Sequence, residues 1–145
     1  MTGLDTQRVA PYALAALRIV VGVLFLAHGI VKMFGFPPGA PPGAVPLASL
    51  LGVGAVIEIV TGALVALGLL TRPAAFVASG QMAVAYWMFH APHSVYPVLN
   101  GGEPAILFCF VFLYVAAAGP GAFSLESLLR RGSSSATNSL SHAAS

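Results

Sequence analysis

Residues 47–70 have the sequence LASLLGVGAVIEIVTGALVALGLL, in which Glu58 is the only charged side chain. A run of this length suffices for a bilayer-crossing helix, because ~20 residues at 1.5 Å each span the ~30 Å hydrocarbon core. A carboxylate in the middle of such a span costs ~2.5–3.5 kcal/mol on insertion scales. The run therefore predicts a membrane helix whose acidic residue serves a partner, a proton or a ligand.

The composition of the chain excludes an ordinary soluble domain. Hydrophobic residues make up 58% of the 145 positions and charged residues 7%, whereas soluble domains carry about 25% charged residues. The net charge of +2 is too small and too scattered for a nucleic-acid-binding surface. Cys109 is the only cysteine, which excludes an internal disulfide or a CxxC redox pair. Redox chemistry would therefore require a partner or a bound cofactor.

Four apolar segments predict an all-α membrane protein, a four-transmembrane-helix bundle. The predicted spans are residues 11–34, 47–70, 73–90 and 102–118. The first span is long for a signal peptide, so we expect it to be retained. The connector 35–46 contains five prolines and three glycines and cannot be a helix.

Charged residues outside the spans predict the orientation. The N-terminus, the second loop and the C-terminus carry Arg8, Arg72, Arg130 and Arg131. An even number of spans puts these regions on one side, which the positive-inside rule assigns to the cytoplasm. Lys32, near the opposite end of the first span, is the one exception to this charge distribution. We therefore expect a multi-pass protein of the bacterial inner membrane. Its expected parts are a cytoplasmic segment (1–10), the membrane domain (11–131) and a disordered Ser-rich tail (132–145).

Polar residues in the first two spans predict an intramembrane cluster. At steps of four, three, four and three, one face of the first helix carries Arg18, Gly22, Phe25, Gly29 and Lys32. Small residues flank Glu58 in the second span and permit close helix approach. Packing these faces together brings Glu58 towards a cation, for which Arg18 has the longest reach and His28 lies nearest in depth.

Three interpretations of this cluster remain open. A buried ion pair would fix the register of the two helices, a ligand or proton site would use the same residues, and a third arrangement has no direct pairing. For Gln81 in the third span, the favoured role is a hydrogen bond to another helix, and the alternative is contact with a ligand. The predicted pocket for a quinone or another polar ligand comprises Arg18, His28, Lys32, Glu58 and Gln81.

A second polar group is expected at the outer end of the bundle. His90 and His93 have H-x-x-H spacing, but Pro92 lies between them, so we expect loop histidines and no metal site. Asn100 is expected to cap the last helix, and a carboxylate at Glu103 suits the dipole of its first turn. This places Glu103 near His90, where the two could share a proton. The candidates for proton handling are Glu58, His28, His90 and Glu103.

An ordered set of motifs resembles the DoxX family of small bacterial membrane proteins. The matching positions are Arg18, Gly22, Phe25, His28, Gly29, Lys32, Glu58, Gly62, Gly68, Arg72, Pro97, residues 100–103 (NGGE) and residues 119–125 (GPGAFSL). Glu126 stands where the family usually has Asp. The resemblance covers roughly residues 13–131 and implies a four-helix inner-membrane bundle.

The resemblance also implies a functional association. Relatives called DoxX or DoxD look like subunits of quinone-linked oxidoreductases acting on sulfur compounds, and others look like membrane anchors of thiol- and oxidant-handling enzymes. Our first hypothesis is therefore a membrane subunit of a redox complex that binds quinone, and not an enzyme on its own. The alternatives are a non-catalytic anchor for a partner enzyme and a small homo-oligomeric transporter, whose subunit contacts would use Gly22, Gly29, Gly54 and Gly62.

Overall fold

The computed structural model describes residues 6–130, which form helices and no strand. The helices are α1 (Thr6–Phe34), α2 (Leu50–Leu67), α3 (Thr71–Ala85), α4 (Pro97–Asn100) and α5 (Glu103–Ala118), and a π turn (Tyr86–His90) continues α3. Residues 125–130 are also helical. The expected tail, Arg131 and the first five residues of the expected N-terminal segment lie outside the described residues.

Local capping sets the bounds of α2, which is shorter than the apolar run that contains it. Ser49 precedes the helix in an extended conformation, and its Oγ accepts a hydrogen bond of 3.0 Å from the Gly52 N–H. This bond satisfies one of the unpaired donors at the helix N-terminus. At the other end Gly68 has a φ of 70°, a left-handed conformation that a side chain would disfavour.

Two other bounds differ from the sequence-based expectation. Within the described residues α1 extends back to Thr6 and includes Pro11, so residues 6–10 are helical, whereas the predicted span begins at residue 11. Pro11 lies in the second turn, where its missing N–H leaves the Gln7 carbonyl oxygen without its usual intrahelical donor. Between the predicted spans 73–90 and 102–118, the structure contains the additional short helix α4.

Within residues 6–130, two helices, α1 and α2, are long and apolar enough to cross a membrane, with a mean hydropathy of 2.3 each. α5 is a shorter apolar helix of 16 residues. Large apolar side chains point outward from the bundle: Val20 is 55% exposed, Phe76 66% and Phe110 64%. An apolar exterior suits lipid, because lipid tails are as apolar as these side chains.

The helices pack as two close pairs, α1 against α2 and α3 against α5, and α2 contacts α3. Glycines allow the antiparallel α1–α2 contact. A Cβ at Gly22 would lie 2.6 Å from the Ala66 backbone nitrogen, and one at Gly62 would lie 2.7 Å from the Leu26 nitrogen. A Cβ at Gly29 would also meet α2. These three glycines therefore pack inside the subunit, and not at the subunit contacts expected for a transporter.

We expect Gly22→Ala to lower the free energy of unfolding by ~1–3 kcal/mol, because the added methyl group overlaps backbone atoms of α2 that cannot rotate away. The matched control is Gly80→Ala in α3, where an added Cβ meets nothing within 4 Å. This control should be neutral or stabilising by up to ~1 kcal/mol, because alanine is the better helix former. Denaturant titration in mixed micelles measures both, and equal stability of the two variants would contradict the close helix contact.

Candidate functional site

The intramembrane carboxylate of Glu58 pairs with Lys32. The Lys32 Nζ donates to Glu58 Oε1 at 2.5 Å, and the Glu58 side chain is 1% exposed. Gln81 Nε2 donates to the same oxygen at 3.2 Å and to the Gly54 carbonyl oxygen at 3.0 Å. The helices α1, α2 and α3 thus contribute one side chain each to a group that we call the polar cluster: Lys32, Glu58 and Gln81.

Two oxygens of the polar cluster retain unused hydrogen-bonding capacity. Glu58 Oε2 and Gln81 Oε1 are buried and have no hydrogen-bond partner among residues 6–130. The two hydrogen bonds donated by Gln81 use both protons of its amide, so its remaining capacity is to accept. Buried acceptors without a partner are uncommon in folded proteins and call for an explanation.

A cavity of about 780 Å³ lies beside the polar cluster. Its volume falls in the ~300–1,000 Å³ range of small-molecule sites. All four long helices line it, mostly with apolar side chains such as Leu50, Val53, Val77, Val84, Met88 and Phe89. Its polar side chains are His28, Lys32, Glu58, Gln81 and His90. An apolar wall with a few convergent polar groups suits a ligand with an apolar body and a polar head.

Aromatic packing confines the cavity to one half of the bundle. The rings of Phe25 and Phe108 line the cavity, and their centroids lie 5.6 Å apart. Phe112 packs edge-on against Phe25 at 4.8 Å and is fully buried below them. From α2 only residues 50–58 reach the cavity. The space therefore occupies the half of the bundle that contains the N-terminal end of α2.

His28 lines the cavity without an ion-pair contact to Glu58 within the described chain. Its Nδ1 lies 2.8 Å from the Leu24 carbonyl oxygen, and its ring packs edge-on against Phe108. Because a carbonyl oxygen only accepts, Nδ1 must carry a proton, and the neutral ring keeps its lone pair on Nε2. His28 is therefore able to accept a hydrogen bond or a proton at the cavity wall.

The second predicted polar group, which includes His90 and Glu103, does not form a single site in the structure. His90, in the π turn, lines the cavity, and its Nδ1 lies 3.0 Å from the Asn100 carbonyl oxygen. The Asn100 side chain accepts from the Gly102 N–H at 2.7 Å, but Gly102 is itself the N-cap of α5. Glu103 occupies the first turn of α5, is exposed and does not line the cavity. The structure therefore brings His90 to the site and leaves Glu103 outside it.

Arg18 lies apart from the polar cluster, at the opposite end of α2. Its guanidinium is fully buried, and all of its hydrogen bonds go to backbone carbonyl oxygens. Nη1 donates to Val65 at 2.6 Å and to Ala66 at 2.7 Å, and Nε donates to Pro120 at 2.8 Å. Nη2 donates to Phe123 at 3.0 Å and more weakly to Ala122. Arg18 thus caps the C-terminus of α2 and fixes residues 120–123 against it, where a cation suits the helix dipole.

Arg72 has the same type of contact at the C-terminus of α5, a role that the sequence did not predict. Its Nη1 donates to the Ala116 carbonyl oxygen at 3.0 Å and to that of Ala117 at 2.5 Å. The available sequence signal was Gly119-Pro120-Gly121, which ends α5 abruptly and leaves its last carbonyl groups without intrahelical partners. We call Arg18 and Arg72 the carbonyl clamps.

Comparisons with known proteins give consistent matches. A family model described as DoxX matches residues 13–91. An uncharacterized protein of Haemophilus influenzae is 42% identical over 126 residues, which cover 84% of this chain and 94% of that protein. An uncharacterized membrane protein of Mycobacterium tuberculosis is 42% identical over 71 residues, which cover 45% of this chain and 43% of that protein. No solved structure matches.

Proposed function

This chain belongs to the DoxX family of membrane proteins, and from that premise we propose that it is the membrane subunit of a quinone-linked redox complex. The observation that carries the proposal is the cavity of about 780 Å³ with the polar cluster at its wall. A quinone has an apolar tail and a ring with two polar oxygens. The apolar wall suits the tail and ring faces, and the polar cluster suits the ring oxygens.

The chemistry of quinone reduction assigns separate tasks to this chain and to its partner. Reduction consumes two electrons and two protons and converts both ring carbonyl groups to hydroxyl groups. A partner redox enzyme would supply the electrons. Lys32 would donate a hydrogen bond to a ring oxygen, and Glu58 and His28 would pass protons to it, since both are ionisable groups at the cavity.

We also propose that the chain crosses the bacterial inner membrane four times with both termini in the cytoplasm. In support, α3 and the π turn form a helical run over residues 71–90, and α5 is apolar. Arg72 and Arg130 lie at the same end of the bundle, where they line one small cleft, and the positive-inside rule favours the cytoplasm for such a group of arginines.

The topology predicts that the first and third loops are accessible from outside the cell, whereas the second loop and both termini are not. A cysteine introduced at Ser94, with Cys109 replaced by serine, should react with a membrane-impermeant thiol reagent in intact cells. A cysteine at Ser127 in the same background should react only after the cells are opened. Reaction of the Ser127 position in intact cells would refute the proposed orientation.

Quinone binding and its dependence on Glu58 test the proposed function. Purified protein in lipid nanodiscs should bind a short-chain ubiquinone or menaquinone analogue, and Glu58→Gln should weaken binding about tenfold, because it removes the charge that holds Lys32 in place. With the partner enzyme present, quinone reduction should fall at least as much. Glu126→Gln is the matched control, because its partner Arg130 lies on the same exposed helical segment, outside the cavity.

The outcomes separate the proposed function from its alternative. Saturable quinone binding that Glu58→Gln weakens and Glu126→Gln preserves supports the redox subunit. No quinone binding by the folded wild-type protein would overturn it. If an enzyme nevertheless co-purifies from native membranes, the chain is a non-catalytic anchor.

A further inference from the structure

The unpaired atoms of the polar cluster are hydrogen-bond acceptors, whereas the ring oxygens of a quinone are also acceptors and cannot donate to them. Gln81 has no amide proton left to donate, and the unpartnered atoms are the acceptors Glu58 Oε2 and Gln81 Oε1. Glu58, at 1% exposed, is deeply buried. Its carboxylate, paired with the Lys32 ammonium, accepts hydrogen bonds and donates none. The polar cluster therefore has two unpaired acceptor oxygens, which a ligand that donates hydrogen bonds would satisfy.

Lys32 adds the opposite requirement. One of its three ammonium protons goes to Glu58 Oε1, so others remain for an acceptor on the ligand. A ring carbonyl accepts from Lys32 but gives nothing to the two free oxygens. A ring hydroxyl can accept from Lys32 and also donate to a free oxygen, once the carboxylate of Glu58 or the amide of Gln81 rotates to turn that buried oxygen towards the cavity. The hydroxyl group is therefore the better complement to the whole cluster.

We infer that this cavity selects a ligand headgroup that donates hydrogen bonds, a para-dihydroxyaromatic ring, over the corresponding quinone or methyl ether. The inference rests on the proposed function and adds to it the preferred redox form of the ligand. His28 would extend the same preference in its neutral form, because Nδ1 bonds to the Leu24 carbonyl oxygen and only Nε2, an acceptor, is left for a ligand.

Selective binding of the reduced form has a redox consequence. If the dihydroxyaromatic form binds tenfold more tightly than the quinone, linkage raises the two-electron midpoint potential of the bound pair by ~30 mV. The site would then favour reduction of quinone by the partner enzyme and hold the product until it leaves for the bilayer.

Three matched probes test this inference on the full chain in lipid nanodiscs under anaerobic conditions. The probes share one ring and one short alkyl tail and differ only at the ring oxygens: the hydroquinone, the quinone and the dimethyl ether. We expect the hydroquinone to bind at least tenfold more tightly than the other two, because a site built to bond a hydroxyl group rejects analogues that lack it. Gln81→Leu should reduce the preference several-fold.

The control is Ser79→Ala, which lies on α3 but bonds the Cys109 carbonyl oxygen and does not line the cavity. It should leave the preference unchanged. Equal binding of hydroquinone and quinone to the wild-type protein would overturn this inference while the proposed function stands. Binding of none of the three probes would overturn both. The wild-type comparison decides the matter even if Gln81→Leu fails to fold.

Discussion

Replacing Arg18 with methionine is expected to lower the free energy of unfolding by more than ~3 kcal/mol. It should also sharply reduce the amount of protein that accumulates in the membrane. The guanidinium donates to five backbone carbonyl groups at the α2 C-terminus and in the segment after α5. Methionine preserves much of the volume and removes every donor. Each buried carbonyl left without a partner costs ~1–3 kcal/mol, and a typical domain has only ~5–15 kcal/mol of stability.

The measurement is denaturant titration in mixed micelles, with Arg130→Met as the matched control. Arg130 forms an exposed ion pair with Glu126 one helical turn away, an interaction worth only ~0.3–0.5 kcal/mol. Arg18→Lys should fall between wild type and Arg18→Met, because an ammonium group keeps the charge but has fewer donors. Wild-type stability of Arg18→Met would contradict the clamping role.

The second large effect concerns the ion pair of Lys32 and Glu58. Lys32→Met should destabilise the protein by ~3–5 kcal/mol, because the Glu58 carboxylate would remain buried without its cation. Glu58→Met should cost less, since the Lys32 side chain is 17% exposed and its flexible stem can carry the charge towards the interface. The double variant should recover most of the loss, because apolar replacement of a buried pair is often neutral or stabilising.

A double-mutant cycle with two readouts checks this prediction. In the stability readout, the two losses should be strongly non-additive. In the quinone readout, the double variant should bind at least tenfold more weakly than wild type although it is well folded. Recovery of both properties would assign the pair to folding alone, and additive stability losses would contradict the ion pair itself.

The membrane class, the helices and the members of the polar cluster were accessible from the sequence because they depend on local pattern. The apolar runs gave the helices to within a few residues, and the glycine spacing indicated which faces of α1 and α2 meet. Helix ends were less accessible, because they depend on single capping contacts such as the one between Ser49 and Gly52.

The choice of cation for Glu58 was not accessible from residue counting. Side chains tilt towards the N-terminus of their own helix. In the antiparallel pair, the Lys32 side chain on α1 therefore reaches back towards the middle of α1, while the Glu58 side chain on α2 leans towards the C-terminal end of α1 to meet it. Arg18 leans the other way, away from the carboxylate. Rise per residue alone places Arg18 and His28 nearer to Glu58 than Lys32, because it ignores this tilt.

The cavity and the carbonyl clamps could not be predicted from the sequence, for a different reason. Both arise between elements far apart in the chain: the cavity needs all four long helices, and Arg18 finds three of its five carbonyl partners more than 100 residues later. No local periodicity encodes such a contact. The abrupt stop at Gly119 was the single local indication that helix-end carbonyl groups required outside donors.

The clamp at Arg18 also constrains how the protein is made. The carbonyl oxygen of Pro120 lies 102 positions after Arg18 in the chain, so a ribosome working at ~5–20 residues per second completes that contact about 5–20 s after it translates Arg18. The carbonyl groups of Val65 and Ala66, 47 and 48 positions after Arg18, are made earlier, so until the later segment arrives the remaining guanidinium donors need other acceptors, such as water or lipid phosphate. A segment that follows the last long helix therefore completes the coordination of a residue in the first helix.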